Sequence, residues 1–307
     1  MTSGLEIRRF EWKDIDDITY LFNEINGLSE SEKAFDSEFM RQYLSIPSCD
    51  PEDHCFIAEL DGSPVGFTLV SYEEPIGRAV AGGGVLEKYR NQGIGRQLIT
   101  TAVEHGRFLK GVSVLHIEVR SDSDDAKHLM ESEGFQVVKN YWQMQWKHDK
   151  APETMLPKGF SVRSFQLNQD EEALTELQNL SFGENWGFSP NTVEQISARV
   201  RLVRGMPEGI LFIIDNDRHA AYNWTFISHG DKQSTGFISM TGVHPDYRGK
   251  GLGTAIVTAG IEYLTSKNVD CVELEVDSEN VPARELYLKL GFKKMRESLW
   301  YEKCLTE

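Results

Sequence analysis

Apolar residues recur along this chain at two spacings. Ile15, Ile18, Leu21, Phe22 and Ile25 fall three or four apart, the period of an amphipathic helix over 12–25. Trp142, Met144 and Trp146 alternate with polar residues, the period of a half-buried strand. The first half then reads as a strand at 5–10, the helix at 12–25, a polar loop and a helix at 37–44. Strands at 55–60 and 65–72 are joined by Asp61-Gly62, a hairpin turn. A strand at 79–86, a turn at 87–90, a helix at 96–109, a strand at 112–120 and a helix at 123–133 follow. Two short strands close the half at Trp146.

The segment 149–158 carries two prolines, several charges and no period, and reads as a linker. Beyond it the plan recurs: a strand at 160–165, helices at 170–179 and 192–203, and a hairpin of 210–214 with 220–227. A strand at 237–243, a helix to about 265, a strand at 269–277, a helix at 282–290 and two final strands complete it. The recurrence has a nearly fixed offset. Arg90 maps onto Arg248 at 158; Gly134-Phe135 maps onto Gly291-Phe292, and Ile117-Glu118-Val119 onto Leu274-Glu275-Val276, both at 157. The chain is a tandem duplication of one α/β unit. Hairpins combined with helical crossovers imply a mixed, mostly antiparallel sheet with helices on both faces in each copy. The expected domains are residues 1–148 and 159–307.

At 307 residues there is enough chain for roughly two cores. Net charge is −16, shared as −10 over residues 1–150 and −6 over 151–307. No broad basic face is available for nucleic acid, and an acidic field suits a cationic partner such as a protonated amine as well as it suits plain solubility. No run of about 18 apolar residues exists to span a membrane. The N-terminus turns charged too early for a secretory signal. Cys49, Cys55, Cys271 and Cys304 lack metal-type spacing and read as reduced thiols of a cytoplasmic protein without a metal site.

Candidate chemistry concentrates in residues 237–253, FISMTGVHPDYRGKGLG. An apolar strand leads through Arg248, Gly249, Lys250, Gly251, Leu252 and Gly253 into a helix. Such a turn offers free backbone N–H groups to an anion, and glycines let a phosphate approach them. The first copy keeps Val85, Arg90, Gly93 and Gly95, with Asn91-Gln92 where the second has Gly249-Lys250.

Two motifs, Val243-His-Pro-Asp-Tyr-Arg-Gly-Lys-Gly-Leu-Gly253 and Asn280-x-x-Ala283-x-x-Leu286-Tyr287-x-x-x-Gly291-Phe292, resemble those of the GNAT superfamily of N-acetyltransferases. The resemblance covers both halves, in a two-domain layout similar to that of mycothiol synthase and its tandem relatives. It implies that acetyl coenzyme A is the cosubstrate, its pyrophosphate on the amides from Arg248 to Thr254 and its arm along Thr241, Gly242 and Val243. A backbone N–H there would polarise the acetyl carbonyl. An amine would attack directly, without a nucleophilic cysteine.

Individual residues each carry a second reading. Tyr287 matches the family's proton donor to the departing thiolate, yet one turn from Ala283 it could simply pack. Its counterpart in the first half is Met130. Asn280 matches a coenzyme contact and equally an N-cap before Pro282; Ser123 holds its place in the first half. Glu275 shares a strand face with Glu273 and is a candidate base, but Glu118 repeats it where the tyrosine is missing, which favours a structural role. Glu184 and Trp186, by family analogy, would line the acceptor pocket, or else staple a loop.

The expected function is transfer of acetyl from acetyl coenzyme A to a primary amine of a small molecule in a ternary complex. The second half would be catalytic and the first degenerate. Acetylation of a protein N-terminus or lysine, and a non-catalytic acyl coenzyme A sensor, are the alternatives. A monomer suits a duplicated chain.

Overall fold

The computed structural model describes residues 4–27, 35–47, 49–148, 150–202, 207–229 and 233–306. Most of the polar loop expected after residue 25, the first residue of the expected linker and the expected end of the helix at 203 lie outside the described residues. In chain order the first copy comprises β1 (Leu5–Arg9), α1 (Ile15–Ile25), α2 (Ser37–Leu44), α3 (Pro51–His54), β2 (Cys55–Leu60) and β3 (Ser63–Glu73). It continues with β4 (Arg78–Val85), α4 (Ile94–Phe108), β5 (Val114–Arg120), α5 (Asp124–Ser132) and β6 (Gln136–Trp146). The second comprises β7 (Phe160–Ser164), α6 (Glu171–Phe182), α7 (Val193–Leu202), β8 (Ile210–Asp215), β9 (Arg218–His229) and β10 (Ser234–Val243). It ends with α8 (Leu252–Ser266), β11 (Cys271–Asp277), α9 (Val281–Lys289) and β12 (Lys293–Cys304).

The compact units are not the two halves of the chain. One contains Met1–Lys139 with Ser298–Glu307; the other is Asn140–Glu297. Residues Ser298–Cys304 of β12 pair antiparallel with β5 in the first unit, placing Tyr301 and Leu305 in its core. Residues Tyr141–Trp146 of β6 pair antiparallel with β11 in the second unit, and Met144 and Trp146 enter that core. Each copy thus lends its last strand to the other. The two short strands expected at each end are single strands of 11 and 12 residues. Alternation in Trp142, Met144 and Trp146 signals a strand with one buried face, but not which sheet buries it.

Within each unit the sheet is mixed and mostly antiparallel, with helices on both faces. In the first, β1, β2, β3 and β4 pair antiparallel in series, and β4 pairs parallel with β5. In the second, β7, β8, β9 and β10 do the same, and β10 pairs parallel with β11. Helices α6 and α7 bury Leu174, Leu177, Ile196 and Val200 on one face with Phe212, Tyr222 and Trp224 of the sheet. The other face is covered by Val257 and Ile261 of α8 and Tyr287 of α9.

Two polar devices are duplicated. Arg8 and Arg163 each make paired hydrogen bonds to an aspartate at a helix entry, Asp14 and Asp170. Asn23 and Asn179 each bond both backbone groups of a residue twelve positions on, Phe35 and Asn191. The aspartates and asparagines on or beside the first helix of each copy recur at an offset of 156 residues, and the arginines at 155.

Candidate active site

The site in the second unit starts where two parallel strands separate. β10 and β11 pair through Thr235, Gly236, Phe237 and Ile238, and no further. At Ser239 the register with β9 slips by one residue, so that Ile238 faces Thr225 and Met240 faces Trp224. A bulge turns the strand and ends its pairing, which leaves one side of Met240–Val243 without a strand neighbour. In the first unit β4 and β5 part likewise after Ala81, although the register of β4 with β3 is unbroken. The bulge accounts for the step up in offset along this strand; the return to 157 by Ile117 and Leu274 lies beyond it. Arg78 corresponds to Thr235 at 157, and Val85, past the extra residue, to Val243 at 158.

Past the separation the chain makes a short turn at Pro245–Tyr247 and enters α8 through two left-handed glycines, Gly249 (φ 76°) and Gly251 (φ 81°). Left-handed backbone is costly for most residues, which accounts for glycine at both positions. A Cβ on either would meet no protein atom within 4 Å, so the space beside the loop is open. The first helical hydrogen bond runs from Ala255 N to Gly251 O at 3.2 Å. The amides of Leu252, Gly253 and Thr254 therefore belong to the unpaired first turn, where the helix dipole favours an anion. Leu252 is buried and offers only its backbone. Gly253 serves packing as well: its missing Cβ would stand 3.3 Å from Leu286 of α9. Lys250 lies over the Tyr247 ring at 4.6 Å, and Tyr247 donates to Asp215 at 3.0 Å. Arg248 donates to Ser181 O at 3.0 Å and lies 3.9 Å from Glu184, tying the loop to the end of α6.

The first unit has the same loop backbone. Asn91 (φ 61°) takes the left-handed place of Gly249, and Gly93 (φ 81°) that of Gly251. Asparagine tolerates this region, so the Asn91-Gln92 pair costs the loop a positive charge and not its shape. A Cβ on Gly95 would stand 3.3 Å from Leu129, as one on Gly253 would from Leu286. Arg90 donates to Val85 O at 3.3 Å, whereas Arg248 reaches α6.

Tyr287 is 6% exposed and packs edge-on against Phe292, ring centroids 5.7 Å apart. Burial pushes its phenol above the ordinary range, which keeps it protonated. From the α6 side of the sheet comes Tyr222, directly opposite Gly242 in the β9–β10 register. It is fully buried. Burial pushes its phenol upward, the nearby Tyr287 adds to this, and the Gln178 side chain opposes it. Ser181 Oγ is buried without a hydrogen-bond partner among the described residues, and Tyr222 Oη, also buried, makes no hydrogen bond of good geometry, although the Gln178 side chain comes close enough to act on it. Sequence reading missed both. Only the strand registers align Tyr222 with the first copy, where Phe67 stands opposite Gly84 as Tyr222 stands opposite Gly242.

The other expected residues fall at varied distances from this centre. Thr241 donates through its hydroxyl to Tyr222 O at 3.1 Å. Asn280 accepts from Ala283 N at 3.2 Å, so it does cap α9, with Val281 and Pro282 opening the helix. Glu275 is exposed on β11 opposite Gln143, while Glu273 accepts from Gln145 at 2.9 Å. Glu184 is exposed and Trp186 half-buried beyond the end of α6. Burial raises the Cys49 thiol to about 11 and pushes Cys55 up as well, which disfavours the thiolate at both. In the first unit a cavity of about 270 Å³ lies under Gly82 and Gly83, lined by Phe22, Met40, Phe67 and Cys55 among others.

Comparison with known proteins agrees with this geometry. The sequence profile of the Acetyltransferase (GNAT) family matches residues 15–135 and 171–292. The mycothiol acetyltransferase of Arthrobacter sp. (strain FB24) is 31% identical over 241 residues, spanning 77% of this chain and 73% of its own. That of Stackebrandtia nassauensis is 29% identical over 260 residues, 83% and 84% of the two chains. A tandem GNAT protein from the clavulanic acid biosynthesis pathway has a TM-score of 0.74 at 18% identity, covering 99% of both chains. A GCN5-related N-acetyltransferase from Sphaerobacter thermophilus has a TM-score of 0.73 at 20% identity, covering 99% and 97%. At those identities the structural likeness speaks to the fold alone.

Proposed function

Because this chain belongs to the GNAT family of acetyltransferases and is an acyltransferase, we propose that its second unit acetylates the primary amine of a small molecule, by direct attack of the amine in a ternary complex. The observation that carries the reading is a combination found in one unit only. A strand end freed by the Ser239 bulge, an open amide row charged by Lys250, and the buried Tyr287 phenol occur together there. The first unit has the separated strands and the loop but carries Met130 in place of Tyr287 and Gln92 in place of Lys250.

Acetyl coenzyme A would supply the acetyl group as a thioester. The chain's own groups fit it: the left-handed glycines and the unpaired amides of Leu252, Gly253 and Thr254 suit a pyrophosphate. Thr241, Gly242 and Val243 can hydrogen-bond an amide-bearing arm through backbone groups on the side β11 has left. Tyr287 would hold a proton at Oη and deliver it towards the leaving sulfur, a task that its burial supports by keeping it protonated. No side chain is assigned the amine's proton. Glu275 is exposed on a strand position that Glu118 duplicates, so a structural role suits it better.

The names of the relatives, mycothiol acetyltransferases, support a small-molecule acceptor over a peptide. Glu184 and Trp186, beyond the α6 end that Arg248 ties to the loop, are the residues proposed to border it. The test is thiol release from acetyl coenzyme A by the purified chain against a panel of small amines and N-terminal peptides. Turnover with a small amine, lost in Tyr287→Phe, is expected. Coenzyme binding without turnover on any acceptor would replace this reading with that of an acyl coenzyme A sensor.

A further inference from the structure

The surroundings of Gly242 and of its counterpart Gly84 differ in one consistent way. A Cβ on Gly242 would stand 2.7 Å from Ser181 Cβ and 2.7 Å from Tyr222 Cε1; one on Gly84 would stand 2.9 Å from Ile25. The duplicated asparagine clamp fixes the alignment of the first helices at 156, so Ile25 corresponds to Ser181 and Phe22 to Gln178. The strand registers make Phe67 the counterpart of Tyr222, and the closing helices make Met130 that of Tyr287. Four positions around one strand end are therefore Gln178, Ser181, Tyr222 and Tyr287 in the second unit. They are Phe22, Ile25, Phe67 and Met130 in the first. Every change is from apolar to a side chain that can hydrogen-bond.

A buried hydroxyl without a partner costs free energy that packing does not return. Ser181 is 8% exposed and leaves its oxygen unpaired among the described residues; Tyr222 is fully buried, and its oxygen makes no hydrogen bond of good geometry, with the Gln178 side chain as a polar neighbour. The Gln178 amide beside them is turned to Met240 Sδ at 2.6 Å and to Asn191 at 3.4 Å. The first unit shows that this fold closes over a phenylalanine and an isoleucine at the same places. The hydroxyls are thus not required by the fold; Ser181 Oγ would stand 2.8 Å from a Cβ on Gly242, and the Tyr222 ring edge 2.7 Å from it.

Resting on the reading of the second unit as the acetyl-transferring one, we propose that the hydroxyls of Tyr222 and Ser181 hydrogen-bond the thioester end of an acyl donor lying along Thr241–Val243, so that this unit distinguishes acetyl coenzyme A from the free thiol. Neutral donors suit a carbonyl oxygen, which accepts and carries no charge. A protonated amine would want a carboxylate, and Gln178, Ser181, Tyr222 and Met240 supply none. The contact adds a side-chain donor to whatever backbone N–H groups the strand end provides.

The test compares acetyl coenzyme A with coenzyme A by titration calorimetry on the full chain, in wild type, Tyr222→Phe and Ser181→Ala. Wild type should bind the acetylated form about tenfold more tightly at the second unit, the size of one or two net hydrogen bonds. Tyr222→Phe should remove most of that ratio and leave coenzyme A affinity unchanged, with Ser181→Ala removing a smaller part. Binding at the first unit, with Phe67 and Ile25 in place, should show no such preference. Melting without ligand gives a second readout: Tyr222→Phe should leave Tm level or raise it, because an unpaired buried hydroxyl is lost. A ratio that survives in Tyr222→Phe, or a lowered Tm, would overturn the proposal. The binding ratio is measurable even if no amine is turned over, so this proposal and the functional reading can fail separately.

Discussion

Tyr222 and Gly242 face each other across adjacent antiparallel strands, and only the missing side chain of Gly242 makes room for the tyrosine ring. Gly242→Ala would put its Cβ 2.7 Å from Tyr222 Cε1 and from Ser181 Cβ. Overpacking of this kind costs about 1–3 kcal/mol. A correspondingly lowered Tm and a loss of turnover are expected. Gly82→Ala in the first unit has nothing within 4 Å to meet and should leave Tm within a few degrees of wild type in the same melting experiment.

Tyr287→Phe keeps the ring that packs on Phe292 and removes only the hydroxyl. Turnover is expected to fall well over tenfold, with coenzyme affinity nearly unchanged. Steady-state thiol release and calorimetry on the same sample separate the two quantities; equal turnover in the variant would remove Tyr287 from the mechanism.

The same residue fixes the sign of one pH dependence. Burial raises the Tyr287 phenol above its ordinary value, so its proton is retained at every pH below that value and is lost only above it. No falling limb from this group should appear in kcat between about pH 7 and 10. A decline through neutral pH that disappears in Tyr287→Phe would contradict the raised value.

The loop glycines are expected to differ in what they tolerate. Gly249→Asn places in the second unit the residue that Asn91 already supplies in the first, at φ 61° against 76°. Tm and the KM for acetyl coenzyme A should change little. Gly249→Val forces a β-branched residue into left-handed backbone at a cost of roughly 1–2 kcal/mol. Both readouts should worsen.

The exchanged strands make a prediction about where damage spreads. Tyr301 is 1% exposed in the core of the first unit, although it belongs to the second copy. Tyr301→Ala should cost about 3–5 kcal/mol, and hydrogen exchange should accelerate in β5 before it does in β11. Faster exchange confined to β11 would argue against the strand pairing seen here.

The elements themselves were legible from local pattern. The helix at 37–44 and the strand at 55–60 fall where periodicity places them, and Asp61-Gly62 makes the expected turn. The repeated offsets revealed the duplication, and the glycine loop and Tyr287 stood out by residue type. Asn280 shows the limit of such reading, since a cap and a ligand contact have the same sequence signature.

What the sequence determined by itself is the α/β unit, its duplication and the anion-binding turn, because these follow from spacing and backbone preference within a few residues. Three matters were decided only in the tertiary structure. A strand's period names its buried face but not its partner, so the exchange of β6 and β12 between the two copies was invisible. Offsets of 158 and 157 were plain in the chain, yet only the strand registers show a step up to 158 within β10, at the Ser239 bulge. The polar set around Gly242 draws on α6, β9 and α9, whose residues are spread over 109 positions of the chain from Gln178 to Tyr287. Their meeting depends on packing across two faces of a sheet, where no local pattern records it.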